Sequence, residues 1–77
     1  MKISISFYGN LIIHRTEANE LKRQIQIPGG MTVSGLLVSY GISEKTVKAV
    51  CNGKKVDVRH ILMEDDYLQF YSLNSGG

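Results

Sequence analysis

Apolar and polar residues alternate at the start of the chain, where Ile3, Ile5 and Phe7 interleave with Lys2, Ser4, Ser6 and Tyr8. Successive side chains of a strand point to opposite faces, so this pattern predicts a half-buried strand with Ile3, Ile5 and Phe7 inward. Gly9-Asn10 breaks it. The run Leu11-Ile12-Ile13-His14-Arg15 is too short for periodicity to separate helix from strand, and Thr16-Glu17-Ala18-Asn19-Glu20 reads as a polar loop. Alternation returns over 22–27 with Ile25 and Ile27 inward, and Pro28-Gly29-Gly30 ends it. The two segments are expected to pair as an antiparallel hairpin.

The period then lengthens. Val33, Leu36, Leu37 and Tyr40 recur at helical spacing, behind Thr32 as N-cap and ahead of Gly41, placed for a left-handed C-cap. Gly35 inside this helix costs about 1 kcal/mol relative to alanine. Close approach to the sheet is the expected reason for it. Ser43-Glu44-Lys45 suggests a brief turn. Residues 46–51 form a β-prone run, and Asn52-Gly53 is a strong hairpin signal. Lys54-Lys55-Val56-Asp57-Val58 is expected to return as a short edge strand, where lysines discourage edge-to-edge pairing.

The segment from Arg59 to Met63 leads to an acidic turn, Glu64-Asp65-Asp66, expected to be solvated, and then to a last strand. Leu68 and Phe70 of that strand face inward; Tyr67, Gln69 and Tyr71 face outward. Exposed aromatics are favoured interface anchors, yet tyrosine rings also simply cover a sheet, and the pattern leaves both open. The expected core is Ile3, Ile5, Phe7, Ile25, Ile27, Val33, Leu36, Leu37, Val50, Leu62, Leu68 and Phe70. The fold class is α+β: residues 1–77 form a single domain, a mixed sheet on one main helix, with 73–77 as a flexible tail.

Charge changes this picture little. Nine bases against seven acids give +2, too balanced to argue for nucleic acid. Lys45, Lys48, Lys54, Lys55 and Arg59 read as solvated turns and edges. A single cysteine excludes an intramolecular disulfide and fits a reducing cytosol. No apolar run approaches membrane-spanning length, so a soluble cytoplasmic protein without a membrane partner is expected. A nucleophilic Cys51 would want a partner histidine, and the sequence places neither His14 nor His60 beside it; packing explains it as well. The histidines share no metal-ligand spacing and no acid cluster completes a set, so neither a metal nor a catalytic residue is expected. Pro28-Gly29-Gly30 lacks the Gly-Lys-Ser/Thr of a phosphate loop.

The tail adds the one candidate reactive group. Leu73-Asn74-Ser75-Gly76-Gly77 leaves the last strand directly, and its two glycines make it narrow and permissive in φ and ψ. Such a tail suits a carboxylate threaded into another protein's active site. Tyr67, Tyr71, Leu73 and Ser75 are the candidate partner-binding residues, with Gly76 and Gly77 as the reactive end.

Val50-Cys51-Asn52-Gly53-Lys54-Lys55-Val56-Asp57, then Leu62, Asp65-Asp66, Leu68-Gln69-Phe70 and Ser75-Gly76-Gly77, resemble the ubiquitin-like β-grasp sulfur carriers. Those proteins often show an Asn-Gly turn, a Leu-x-Asp-Gly-Asp segment and a terminal Gly-Gly. Phe7-Tyr8-Gly9-Asn10-Leu11 and Ile25-Gln26-Ile27-Pro28-Gly29-Gly30-Met31-Thr32-Val33 extend the likeness over the whole chain. The long connection from Gly9 to Leu21 is closer to the small subunit of molybdopterin synthase than to the thiamine carriers. Asp65 stands where the family has glycine, and Ser72-Leu73 where it usually has prolines.

The resemblance implies a β-grasp fold with the first and last strands parallel. It also implies a protein that catalyses nothing itself and binds no cofactor. A ubiquitin-activating-type adenylating enzyme would use ATP to activate the Gly77 carboxylate, which then becomes a thiocarboxylate. The sulfur would pass to a synthase large subunit in molybdopterin (molybdenum cofactor) biosynthesis. Thiamine or another thio-metabolite, a modifier joined to lysines through Gly77, and a plain interaction module are the other readings.

Overall fold

A computed structural model describes residues 1–8 and 22–73. Strands β1 (Lys2–Tyr8) and β2 (Arg23–Gln26) precede helix α1 (Val33–Tyr40). A 3-10 turn, Glu44–Thr46, then leads into β3 (Val47–Cys51), β4 (Lys54–Val56) and β5 (Tyr67–Ser72). The sheet order is β2-β1-β5-β3-β4. β1 pairs antiparallel with β2 and parallel with β5, and β3 pairs antiparallel with both β4 and β5. Parallel neighbours need a long crossover; here α1 and the β3–β4 hairpin lie within it. The segments Leu11 to Arg15 and Thr16 to Glu20, and the tail from Asn74 to Gly77, lie outside the described residues.

Helix α1 starts and stops where its caps place it. Thr32 Oγ1 accepts the Gly35 N–H at 3.1 Å, while the Val33 and Ser34 N–H groups donate to the His60 and Val58 carbonyls at 3.0 and 2.8 Å. The donors freed by starting a helix are thus paired, three of them by distant or capping groups. Gly41 takes φ 73° at the other end, and the Ile42 N–H reaches back to the Leu37 carbonyl. Gly35 has a different role from the one expected. A Cβ there would meet Met31 Cγ and Thr32 Oγ1 at an ordinary 3.5 Å, so no close approach of the sheet requires glycine.

One apolar face of the sheet closes on one side of α1. Ile3, Ile5, Phe7, Ile27, Val33, Leu36, Leu37, Leu62, Leu68 and Phe70 are buried together. Phe7 sits between Phe70, ring centroids 5.6 Å apart, and the edge of Tyr40 at 5.2 Å. Two members of the expected core differ. Ile25, on edge strand β2, is only half-buried. Val50 is outward and half-buried, whereas Val47, Ala49 and Cys51 line the core. Strand alternation forces this choice, because Lys48 goes to solvent and takes Val50 to the same face. No helix among the described residues is long and apolar enough to cross a membrane.

Candidate functional site

The turn that launches β5 is not the solvated feature expected from Glu64-Asp65-Asp66. Glu64 and Asp65 are exposed, but Asp66 is buried. Its Oδ2 accepts the Met63 N–H at 2.9 Å and its Oδ1 accepts Asn52 Nδ2 at 2.8 Å. Asn52 Oδ1 in turn accepts the Tyr67 N–H at 2.9 Å. Burial by itself would raise the Asp66 pKa. The Met63 N–H, the Asn52 amide, the Cys51 thiol and His60 outweigh it and hold the carboxyl below its ordinary value. Asp65 adopts φ 69°, the left-handed conformation that aspartate tolerates better than most residues. Its N–H donates to the Lys2 carbonyl and the Asp66 carbonyl accepts from Ser4, so the turn is stitched to β1. This fixes the register that aligns β5 with its neighbours.

That register assembles the outward face of the sheet. Along β1 and β5, Ser4 stands opposite Tyr67, Ser6 opposite Gln69 and Tyr8 opposite Tyr71; β3 adds Lys48 beside Tyr71 and Val50 beside Gln69. Tyr8 and Tyr71 stack with ring centroids 4.7 Å apart and planes 11° from parallel. The Tyr67 hydroxyl lies 2.8 Å from Ser6 Oγ and 3.4 Å from the Tyr8 hydroxyl, to which Gln69 Nε2 donates at 3.2 Å. Lys22 Nζ sits 4.3 Å from the centre of the Tyr67 ring and Lys48 Nζ 5.8 Å from that of Tyr71. Burial raises the Tyr67 pKa against the bonds from Ser6 and Gln69, which keeps its hydroxyl neutral.

The structure thus brings Tyr67 and Tyr71 together with Gln69, all three on the outward face that strand alternation gave, and adds Tyr8, which was not among the candidate partner-binding residues. The signal for Tyr8 was available only through parallel in-register pairing with β5. The rings lie half-buried against each other, a flat aromatic surface flanked by ammonium groups. It can dock a protein surface carrying apolar side chains and carboxylates.

Leu73 follows β5 and is 59% exposed, but its N–H is tied to the Thr46 carbonyl at 2.9 Å. It lines a shallow groove of about 250 Å³ along β3 and β4, with Val47, Lys55 and Val58. Ser75, Gly76 and Gly77 lie outside the described residues.

Cys51 ends β3 with its side chain buried. Burial first, and then the adjacent Asp66 carboxylate, push the thiol up to about 11, so it stays protonated at neutral pH. His60 does reach this region, contrary to the sequence expectation: its Nε2 is 4.0 Å from Asp66 Oδ2. The expectation failed because spacing along the chain says nothing about the hairpin that folds these segments together. His14 lies outside the described residues.

Comparisons with known proteins place the fold. No protein-family model matches the chain, and no curated protein matches it. Solved structures do. SAMP1 of Haloferax volcanii is 15% identical with a TM-score of 0.69, all of both chains being covered. A protein of Pyrococcus furiosus assigned as molybdopterin converting factor subunit 1 is 17% identical, with a TM-score of 0.70 over 92% of this chain and 95% of that one. The complex of subunits 1 and 2 of the molybdopterin-converting factor from Helicobacter pylori contains a chain 15% identical, with a TM-score of 0.62 and both chains fully covered. The strand order, the parallel central pair and these similarities together show a ubiquitin-like β-grasp fold.

Proposed function

We propose that this protein is a sulfur carrier whose Gly77 carboxylate is adenylated and converted to a thiocarboxylate, serving molybdopterin biosynthesis. The observation that carries the reading is the whole-chain similarity to a subunit that the Helicobacter pylori structure holds in complex with its partner subunit. It is joined by the sequence Ser75-Gly76-Gly77 a few residues beyond β5. A carboxylate is a poor acyl donor because its leaving group would be an oxide. Attack of the Gly77 carboxylate on the α-phosphate of ATP expels pyrophosphate and gives an acyl adenylate in the active site of an adenylating enzyme. A persulfide sulfur then displaces AMP, and a thiol releases the thiocarboxylate from the resulting acyl disulfide. The sulfur-accepting partner would be a synthase large subunit.

The chain's own contribution is recognition. The Tyr8–Tyr67–Tyr71 face presents rigid aromatic area at low entropic cost, since each ring is already held by its neighbours. Gly76 and Gly77 let the end enter a narrow channel without side-chain clashes. A protein modifier forming isopeptide bonds through Gly77 is the second reading, favoured by the match to the Haloferax volcanii small archaeal modifier protein 1.

Pyrophosphate exchange with the cognate adenylating enzyme tests the proposal, using the full chain, a chain lacking Gly77 and a chain extended beyond it. Only the full chain should support exchange, because a carboxylate on Gly76 stops one residue short of the α-phosphate. Equal exchange by the shortened or extended chain would exclude the Gly77 carboxylate as the functional group.

A further inference from the structure

Three segments distant in sequence converge beneath the β3–β4 hairpin: the end of β3 at Cys51, the β4–β5 connection at His60 and the turn before β5 at Asp66. The Cys51 sulfur, a His60 ring nitrogen and an Asp66 carboxylate oxygen all lie within 4.8 Å of one another. They border an open cavity of about 320 Å³ together with Asn52, Lys54 and Met63. We propose that this cluster binds a tetrahedral divalent transition metal, Zn2+ before others. Cys51 Sγ, His60 Nε2 and Asp66 Oδ2 supply three ligands, and a water in the cavity supplies the fourth.

The donor set selects the ion. One sulfur, one imidazole and one carboxylate suit zinc, whereas calcium and magnesium take oxygen ligands throughout. Zinc bonds of about 2.3 Å to sulfur and about 2.0–2.2 Å to nitrogen and oxygen put tetrahedral ligand atoms roughly 3.3–3.6 Å apart. The widest pair, at up to 4.8 Å, must therefore close by about 1.2–1.5 Å. His60 is the ligand able to move, with a side chain 36% exposed on a connection. Its backbone is pinned, because its N–H donates to the Asp57 carbonyl and its carbonyl accepts from Val33. With the backbone held, closure of the site falls to rotation of the His60 side chain.

The surroundings of the other two ligands are already those of a supported metal site. Met63 N–H and Asn52 Nδ2 fix the plane of the Asp66 carboxylate and aim Oδ2 toward His60. Cys51 is held by β3 pairing, opposite Leu68 on one side and Lys54 on the other. A thiolate and a carboxylate balance the two charges of the ion. The Cys51 thiol proton, which faces Asp66 in the metal-free protein, is lost to solvent when the metal takes its place. The site exists only in the folded chain, so its occupation must also stabilise the fold. It stands apart from the tyrosine face and does not depend on the carrier reading.

The test uses the full chain, reduced and stripped with chelator, titrated with Co2+ as a spectroscopic stand-in for zinc. The proposal expects saturation at one equivalent, a near-ultraviolet thiolate-to-cobalt band with the strong visible bands of tetrahedral cobalt, and loss of both on adding Zn2+. Zn2+ should raise the melting temperature. His60→Gln should weaken binding by more than about 10-fold, whereas His14→Gln should leave it unchanged. Because a buried substitution can unfold the chain, Cys51→Ala, confirmed folded by circular dichroism, is the second variant and should remove the thiolate band. Absence of that band in the wild type, weak octahedral bands only, or binding that survives His60→Gln or depends on His14 would overturn the site.

Discussion

Replacing Asp66 by alanine should be among the most damaging single changes outside the apolar core, although Asp66 sits in a run of three acids. The substitution leaves the Met63 N–H and the Asn52 side-chain amide without their acceptor, at bonds of 2.9 and 2.8 Å. Hydrogen bonds to a charged group contribute about 1.5–3 kcal/mol each, so the lower figure for both gives about 3 kcal/mol. A domain of this length has about 4–12 kcal/mol in all, and each 1 kcal/mol moves its melting temperature by about 4–8 °C. Asp66→Ala should therefore melt about 12–24 °C below wild type. Glu64→Ala, two residues earlier, loses only a solvent-exposed bond from the Lys2 N–H at 3.1 Å and should cost about 1 kcal/mol or less.

Urea denaturation of both variants in chelator at neutral pH measures the difference, and repeating it in acid checks the sign. Since the folded Asp66 pKa is depressed, the unfolded chain binds more protons in that window and stability rises with pH. The gap between wild type and Asp66→Ala should be full above the ordinary aspartate value, near about pH 4, and close as pH falls through the folded value. Equal costs for Asp66→Ala and Glu64→Ala, or a gap unchanged in acid, would refute a buried, ionised anchor.

Gly35→Ala should stabilise the protein by about 1 kcal/mol, because the helix gains a better former and the new methyl meets only ordinary contacts at 3.5 Å; thermal melting reads this directly. Tyr71→Ala removes a ring stacked on Tyr8 and should cost about 0.5–1.5 kcal/mol beyond its buried area while the chain still folds. Calorimetry should show weaker binding of that variant to the adenylating enzyme, and unchanged affinity would remove Tyr71 as an anchor.

What was legible in the sequence was mostly local. The Thr32 and Gly41 caps, the Asn52-Gly53 turn with φ 52° and 85°, and the facing of Leu68 and Phe70 each depend on a few neighbouring residues. What was illegible depends on pairing. Val50 looks more core-like than Ala49 or Cys51, and only the register of β3 against β5 turns it outward. Asp66 resembles its exposed neighbours until Asn52, from the preceding hairpin, reaches its carboxylate. Tyr8 joins the aromatic face only because β1 runs parallel to β5, an expectation that came from family resemblance rather than from periodicity. The meeting of Cys51 and His60 is tertiary in the same sense.

Intact mass spectrometry of the protein isolated from its own host tests most directly whether Gly77 carries sulfur. Oxidation adds nearly the same mass as exchanging oxygen for sulfur, so the sample should be split and one half treated with an alkylating reagent under conditions that leave the buried Cys51 unmodified in a control lacking Gly77. A carrier should show a species heavier by the difference between sulfur and oxygen, converted by alkylation to an adduct that fragmentation places on Gly77. A host protein found only with an unmodified carboxylate, or only as conjugates joined through Gly77 to lysines of other proteins, would contradict the carrier account.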